Sequence, residues 1–562
     1  MLLSNLDVLA TAPGGVARLR ELILTLAVQG KLVPQDPADE PAAVLLQKIR
    51  AEKDRLVAEG TIKRDKPLAE IGEEEKPFGL PQGWEWVRLG AVINASEAGW
   101  SPTCIGSPRR PGHWGVLKVS AVSWGRFDPT ANKELPLELT PKREYEVKDG
   151  DFLLSRANTA ELVARSVVVG VAEPQLMLSD KIIRLAVSSQ MNRAFLNIVN
   201  NANYSREHYA ANASGTSSSM KNVSREVVLA LPVPLPPLAE QSRIVTRVEA
   251  LMRLCDALEA KGQLEATQHA QLVSTLLGTL TASTTPEELA AHWQRVAQHF
   301  DLLLDRPEAI DALEQTLLQL AVRGLLLPQD PTDEPASALL QKIRTEKDRL
   351  IATGQIKQGK PLPPITDEEK PFELPVGWEW VRFGQVVNIA SNLVQPNLHG
   401  QKWQVAPDCI EKGTGRLLHK RTVAQAEIIS PNHLFKPGQI LYSKIRPSLS
   451  KAVLVDFEGL CSADMYPIES PLNSQYLLMY ILSQPFLDQV SAAENRVKMP
   501  KLNQEALLAF TIALPPLPEQ SRIVTRVTAL RRLCADLRQR LAERQSVQAR
   551  LAEALVQQQA FA

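Results

Sequence analysis

Along the chain, stretches with apolar residues every three or four positions alternate with stretches of short β-rich runs. Val16, Leu19, Ile23 and Leu26 predict a helix over Val16–Gln29, ended by Gly30. Pro34-Gln35-Asp36-Pro37 predicts a turn. Leu45, Leu46, Ile49 and Leu56 predict a second helix over Glu40–Glu59, with Gly60 past its end. Lys63–Lys76 is polar and contains proline, as linkers do. Trp84-Glu85-Trp86-Val87-Arg88 alternates and predicts an edge strand. Short apolar runs follow (Gly115–Val122, Ser166–Val171, Ile182–Val187), with a helical segment at Ala194–Asn201. They predict a compact α/β domain. A Pro-rich corner, Leu231–Leu238, then leads into a long helix. Its Ile244, Val248, Leu251, Cys255 and Leu258 are spaced 4-3-4-3, which is a coiled-coil seam.

The whole pattern then repeats. Leu26–Gly90 aligns without a gap onto Leu320–Gly384, with 46 of 65 positions identical. Pro236–Asp256 aligns onto Pro515–Ala535, with 17 of 21 identical. The second copy predicts helices at Ile310–Arg323 and Glu334–Thr353, a linker at Lys357–Lys370, a β run at Ala452–Phe457 and a helical run at Ser474–Leu482. Ile523, Val527, Leu530, Cys534, Leu537 and Leu541 carry the seam again in its long helix. Each seam needs somewhere to bury itself, so the two helices are expected to pair. The inserts between the anchors, roughly 91–219 and 385–498, resemble each other only faintly. A period near 290 residues is far too long for a solenoid.

The expected architecture is therefore mixed α/β: two α/β domains and two long antiparallel coiled-coil helices, related by an internal pseudo-twofold repeat. The boundaries are 1–77 (helical), 78–235 (first α/β domain), 236–371 (long helix, bridge and helices), 372–514 (second α/β domain) and 515–562 (second long helix). A helical stretch, Pro286–Asp305, bridges the halves and has no counterpart of comparable length before Val16.

Composition narrows the class without changing this picture. With 44% apolar and 22% charged residues the chain is globular rather than disordered. No apolar run approaches the length of a membrane span, and the start lacks a basic n-region. Five cysteines form no C-x-x-C pair and no Cys/His spacing suited to a metal, so no metal site and a reducing, cytoplasmic setting are expected. Net charge is zero, but insert 91–235 has 16 basic against 13 acidic residues, and 385–514 has 12 against 10. The direction suits inserts that touch phosphate. No phosphate-binding glycine loop, no Asn/Asp-Pro-Pro-aromatic methyltransferase signature and no paired-histidine motif occurs. The chain reads as a binder, not an enzyme.

Three motifs carry a family resemblance. They are Leu26-Ala-Val-Gln-Gly-Lys-Leu-Val-Pro-Gln-Asp-Pro37, Leu374-Pro-Val-Gly-Trp-Glu-Trp-Val-Arg382 and Pro515-Pro-Leu-Pro-Glu-Gln-Ser-Arg-Ile-Val524, and each occurs in both halves. Together they resemble the specificity subunit of Type I restriction-modification systems. The resemblance implies two target-recognition domains held apart by two antiparallel helices, each reading one half of a bipartite, gapped DNA site. It implies two modification subunits docked on the repeated frame and up to two restriction subunits. S-adenosylmethionine, ATP and Mg are then expected on those partners, none on this chain. The alternative reading is a free-standing bipartite DNA-binding regulator, which would leave the frame repeat without a purpose.

Candidate DNA-contacting residues fall in three places. Gly150–Arg156 aligns faintly with Gly438–Lys444, so Ser155, Arg156 and Asn158, and Ser443, Lys444 and Arg446, lie where a strand gives way to a loop. Arginine and lysine suit guanine edges and phosphates, and asparagine suits adenine. The alternative is a solvated loop. Lys221, within Ser217–Asn222, aligns with Lys498 and Lys501, within Arg496–Lys501. Cations and small hydroxyls before a helix start suit phosphate, although ordinary capping uses the same residues. The third place has Ser101, Arg109, Arg110, Lys118 and Ser120, with Trp100 expected in the core.

Overall fold

The structure is a computed structural model that describes residues 6–561 apart from 65, 124, 216–219, 284, 355, 357–358 and 494–499. Six helices make the repeated frame: α1 (Gly15–Val28), α2 (Ala42–Ala58), α3 (Leu238–Ala282), α4 (Pro307–Val322), α5 (Ala336–Ala352) and α6 (Leu517–Phe561). The chain forms two compact units, residues 1–264 with 545–562, and residues 265–544. Each long helix of 45 residues therefore contributes to both units.

In the first unit, α1 and α2 pack on the opening turns of α3. Leu19, Ile23, Leu45, Ile49, Ile244, Val248 and Cys255 share one buried cluster, which Ala552 of α6 also joins. The approach segment forms strand β1 (Glu85–Arg88), which pairs antiparallel with β11 (Pro232–Leu235), the strand that leaves the insert. Between them the insert builds β2 (Ile93–Ala98), β3 (Gly115–Leu117), β4 (Asn132–Glu134), β5 (Phe152–Ser155), β6 (Ala157–Asn158), β7 (Ser166–Val168), β8 (Leu176–Met177), β9 (Ile182–Val187) and β10 (Lys221–Asn222). One sheet runs β2-β9-β5-β7, a second β4-β3-β8, and β6 pairs with β10.

The second unit repeats this plan. Its insert lies between β12 (Glu379–Arg382) and β22 (Thr511–Leu514), which pair antiparallel. Inside are β13 (Asn388–Ile389), β14 (Leu393–Val394), β15 (Trp403–Val405), β16 (Arg421–Thr422), β17 (Asn432–Phe435), β18 (Ile440–Ser443), β19 (Ala452–Leu454), β20 (Gly459–Cys461) and β21 (Met465–Glu469). The order β13-β21-β18-β19 matches β2-β9-β5-β7 strand for strand. In the other sheet, β16-β15-β20 matches β4-β3-β8, including the parallel central pair, and β17 and β14 extend it. Two inserts with little sequence in common thus share one fold.

Helix polarity in the second unit follows from its side-chain pairs. His269 of α3 meets the residues just before α4, and Arg323, just after α4, donates to the Thr281 carbonyl, so α3 and α4 run parallel. Arg544 meets Asp305 and Arg538 meets Asp311, so α6 runs against α4 and hence against α3. The expected antiparallel long helices are present. Their seam residues are not confined to a two-helix coil. Ile244, Val248 and Cys255 of α3 share their cluster with Leu19 and Ile23 of α1, and Cys534, Leu537 and Leu541 of α6 share theirs with Ile310, Leu313 and Leu317 of α4. The bridge finds its place in the second of these clusters. Its helix Pro286–Gln298, capped by Thr285, and the short helix Phe300–Leu303 bury Val296, Leu303 and Leu304 there.

The three sequence motifs meet around a buried carboxylate. Glu240, 1% exposed at the start of α3, accepts hydrogen bonds from Gln35 Nε2 (2.8 Å) and Trp84 Nε1 (3.0 Å). Glu519 accepts the same pair from Gln329 (2.9 Å) and Trp378 (2.9 Å). Burial raises the pKa of both carboxyls, but both oxygens face N–H donors, so the ionised form fits the geometry. Gly30 closes α1 with φ +68°, and a Cβ there would lie 2.5 Å from Pro81 and 3.0 Å from Trp84. No other residue fits both the left-handed backbone and the contact.

The polar linkers are strapped down. Arg88, 7% exposed, pairs with Glu75 through two nitrogens (2.7 and 2.6 Å) and also donates to the carbonyls of Ala69, Glu70 and Ala230. Arg382 does the same with Glu369, Pro363, Pro364 and Ala509. The insert joint repeats as well. Gln241 accepts from the Asn192 backbone N–H, and Gln520 from that of Asn473, each asparagine capping the helix that follows.

Candidate nucleic-acid interface

In the first domain, β5 ends at Ser155, whose side chain is buried and donates to the Leu162 carbonyl (2.8 Å). Ser443 is its equivalent on β18, 1% exposed and donating to Ile445 (3.0 Å). Both serines were expected to offer hydroxyls outward. They instead bend the chain at the strand end, and the next residue, Arg156 or Lys444, emerges.

The two loops expected from distant parts of the sequence come together. Arg156 is exposed, its N–H donates to Lys181 O (2.7 Å), and its carbonyl accepts from Val223 N (3.0 Å). Beyond it Asn158 pairs with Lys221 across the β6–β10 ladder. In the second domain Lys444 N donates to Asp464 O (3.0 Å), Lys444 O accepts from Leu502 N (2.8 Å), and Ile445 bridges to Lys501. The same backbone clasp therefore gathers Arg156, Asn158 and Lys221 in one domain and Lys444, Arg446 and Lys501 in the other. Lys498 lies outside the described residues, as do Ser217–Ser219 and Arg496.

What each clasp presents differs. Arg156 has no side-chain hydrogen bond or ion pair among the described residues. Asn158 spends its amide N–H on Ser123 Oγ (2.8 Å) and its oxygen on Thr159 N (2.9 Å). Lys221 Nζ donates to Gly215 O (2.6 Å). Lys444 Nζ donates to Ala463 O (2.6 Å) and lies 5.5 Å from the Tyr466 ring centre; Lys501 pairs with Asp464 at 3.2 Å. Arg446 is exposed with φ +45°, a conformation that strains a residue with a Cβ. Its N–H on Pro500 O (2.9 Å) and the following Pro447 hold it there.

The third group divides. Ser101 bonds Asp180, the neighbour of the Lys181 whose carbonyl anchors Arg156, so it belongs to the first clasp. Lys118 and Ser120 are half-buried at a 3-10 turn that Asn158 reaches through Ser123. Arg109 and Arg110 are taken up in the β4-β3-β8 layer. Arg109 holds Glu173 and the Pro174 carbonyl, and Arg110 grips Glu134 with two nitrogens. That grip holds the Glu134 carboxyl down to about 2. Trp100 is half-buried, with Lys142 Nζ 4.8 Å from its ring centre. Lys181 and Asp464 were missed: each stands one residue before a strand whose antiparallel pairing with β5 or β18 places it beside the clasp, and that pairing is not written in local pattern.

One cluster escaped the spacing rules for metals. Asp408, Cys409 and His419 have ligand atoms within 4.8 Å of one another. Arg421 holds Asp408 (3.2 Å), and burial raises the pKa of the Cys409 thiol. No helix among the described residues is long and apolar enough to cross a membrane.

Residues 81–268 and 375–544 match the family model for the Type I restriction modification DNA specificity domain. The chain is 35% identical to the Type I restriction enzyme EcoEI specificity subunit of Escherichia coli, over 96% of this chain and 93% of that one. It is 34% identical to the EcoAI specificity subunit of the same species, with the same coverage. A solved chain from a type I R-M system aligns over 86% of this chain and 99% of its own, at 18% identity and a TM-score of 0.49.

Proposed function

Because this chain belongs to the Type I restriction-modification specificity subunits, the non-catalytic DNA-recognition subunits of those enzymes, we propose that each α/β domain reads one half of a bipartite double-stranded DNA site. The observation that carries this is the repeated clasp: one backbone arrangement, presenting Arg156, Asn158 and Lys221 in one copy and Lys444, Arg446 and Lys501 in the other. Equal scaffolds with unequal side chains suit two different half-sites. Cations suit phosphates and guanine edges, and phosphate contacts set register while base contacts set sequence. The setting that fits is the cytoplasm, where the DNA is.

The frame would dock two modification subunits and, through them, up to two restriction subunits, with S-adenosylmethionine, ATP and Mg bound on those partners. The exposed frame face supports this. Ser242, Thr246, Arg247 and Ala250 of α3 are exposed beside Arg243, which pairs with Asp39 just after the Pro34–Pro37 turn. Ser521, Thr525, Arg526 and Ala529 of α6 line the Pro328–Pro331 turn, clipped by Arg522 and Asp333. The same exposed residues in the same setting fit two copies of one partner. A free-standing regulator would have no use for them. Native mass spectrometry of the chain with excess modification subunit should show two partners per chain; saturation at one would contradict the reading.

A further inference from the structure

The repeat creates an ambiguity that its hydrophobic residues cannot resolve. Leu19 and Leu313, Val248 and Val527, Cys255 and Cys534, and Leu258 and Leu537 are equivalent pairs at the contacts of α1 with α3 and of α4 with α6. Apolar packing would accept α1 on the opening half of α6, and α4 on the opening half of α3, almost as well, although each already touches the far end of that helix. The charges at the same contacts are reversed. In the first unit Arg20 of α1 pairs with Asp256 (2.6 Å) and Glu259 (3.0 Å) of α3. In the second, Arg538 of α6 pairs with Asp311 (2.6 Å) and Glu314 (3.0 Å) of α4. Position 20 is the repeat equivalent of 314, and 259 of 538, so the cation and the anion have exchanged helices. Of the four differences between the closing motifs, two fall here: Met252 against Arg531, and Asp256 against Ala535. Both add to the same reversal.

We propose that these pairs are a recognition code by which α1 and α4 each select the opening half of the long helix of their own half, over the equivalent segment of the other half's long helix, whether in the same chain or in a second copy. In the exchanged pairing Arg20 would face Arg531 and Arg538, and Asp311 and Glu314 would face Asp256 and Glu259. Each correct pair alone is worth little, since the arginines are partly exposed and Asp256, Glu259 and Asp311 more so. The selectivity comes from the difference between attraction in one pairing and repulsion in the other.

The test uses the full chain. Arg20→Glu combined with Glu314→Arg makes the native pairing repulsive and the exchanged pairing attractive. This variant should unfold at a lower temperature than the parent and form a species of doubled mass at low salt, with both effects shrinking in high salt. Adding Glu259→Arg and Arg538→Glu restores one opposite-charge pair at each native contact, position 20 with 259 and position 314 with 538, while Asp256, Asp311 and Arg531 keep their sign; the midpoint should recover in part and the parent mass should return. A two-site variant with the parent's midpoint and mass overturns the proposal. So does a four-site variant no better than the two-site one.

Discussion

Replacing residues 91–235 with the insert of another specificity subunit should change one half-site of the recognised DNA and leave the other intact. The expectation rests on how each insert is closed. Both ends of the insert meet in one two-stranded ribbon, Glu85↔Leu235 through Arg88↔Pro232, and its first helix is capped against α3 by Asn192 and Gln241. The same two joints recur in the second half, as the β12–β22 ribbon and the Asn473–Gln520 hydrogen bond, so the attachment does not depend on the sequence of one insert. The exchange should be tolerated by the frame while Arg156, Asn158 and Lys221 are all replaced. Sequencing of the methylated sites produced by the hybrid complex reads both half-sites at once. If both halves change together, the domains are not independent readers.

The largest single-residue loss of stability is expected at Arg382. It is 3% exposed and its guanidinium binds Glu369 and three carbonyls at once. Arg382→Ala leaves the carbonyls of Pro363, Pro364 and Ala509 without that donor and frees the linker from the β12–β22 ribbon. Removing one partner of a buried pair costs about 3–5 kcal/mol, and Glu369, which regains water, places this case near about 3 kcal/mol. A pH signature accompanies it. Hydrogen bonding to Arg382 lowers the Glu369 pKa, and Arg88 holds Glu75 down to about 2. A lowered carboxyl contributes stability above its unfolded pKa of about 4.3 and loses it as pH falls towards the folded value. The parent should lose stability between about pH 5 and pH 2, and Arg382→Ala should lose less over that window. Urea unfolding at several pH values measures both; equal acid losses would mean that the pair is not the source.

Much of the frame was legible because its residues are constrained locally. Apolar spacing placed α1 and α2, and the Pro-rich corners placed the starts of both long helices, to within about two residues, and Trp84–Arg88 alternated as an edge strand does. The repeat itself showed that two equivalent bodies had to exist. What local pattern could not show was long-range pairing. Nothing in Gln35, Trp84 and Glu240 says that they converge on one buried carboxylate. The linker looked free because its polarity is the same whether it faces water or Arg88. In the site, Arg156 and Lys221 were each found by residue type, but their meeting depends on the β6–β10 ladder, which is only two residues long. Ser155 and Ser443 misled for a related reason: a hydroxyl at a strand end serves a carbonyl as well as it serves a phosphate.

The most direct test of the account is to compare the assembled complex with its Arg156→Ala and Lys444→Ala variants on a duplex library in which every position of both half-sites is varied. Each variant should bind the preferred site more weakly, by about 1–3 kcal/mol if the lost contact is bidentate to a base, and should relax preference at one position. A phosphate contact would instead weaken all sequences evenly and reduce the salt slope by about one. In either case each variant acts through its own domain, so any relaxed positions should lie in opposite half-sites. Unchanged binding by both variants, or relaxation of the same half-site by both, would contradict the claim that two clasps read two halves of one site.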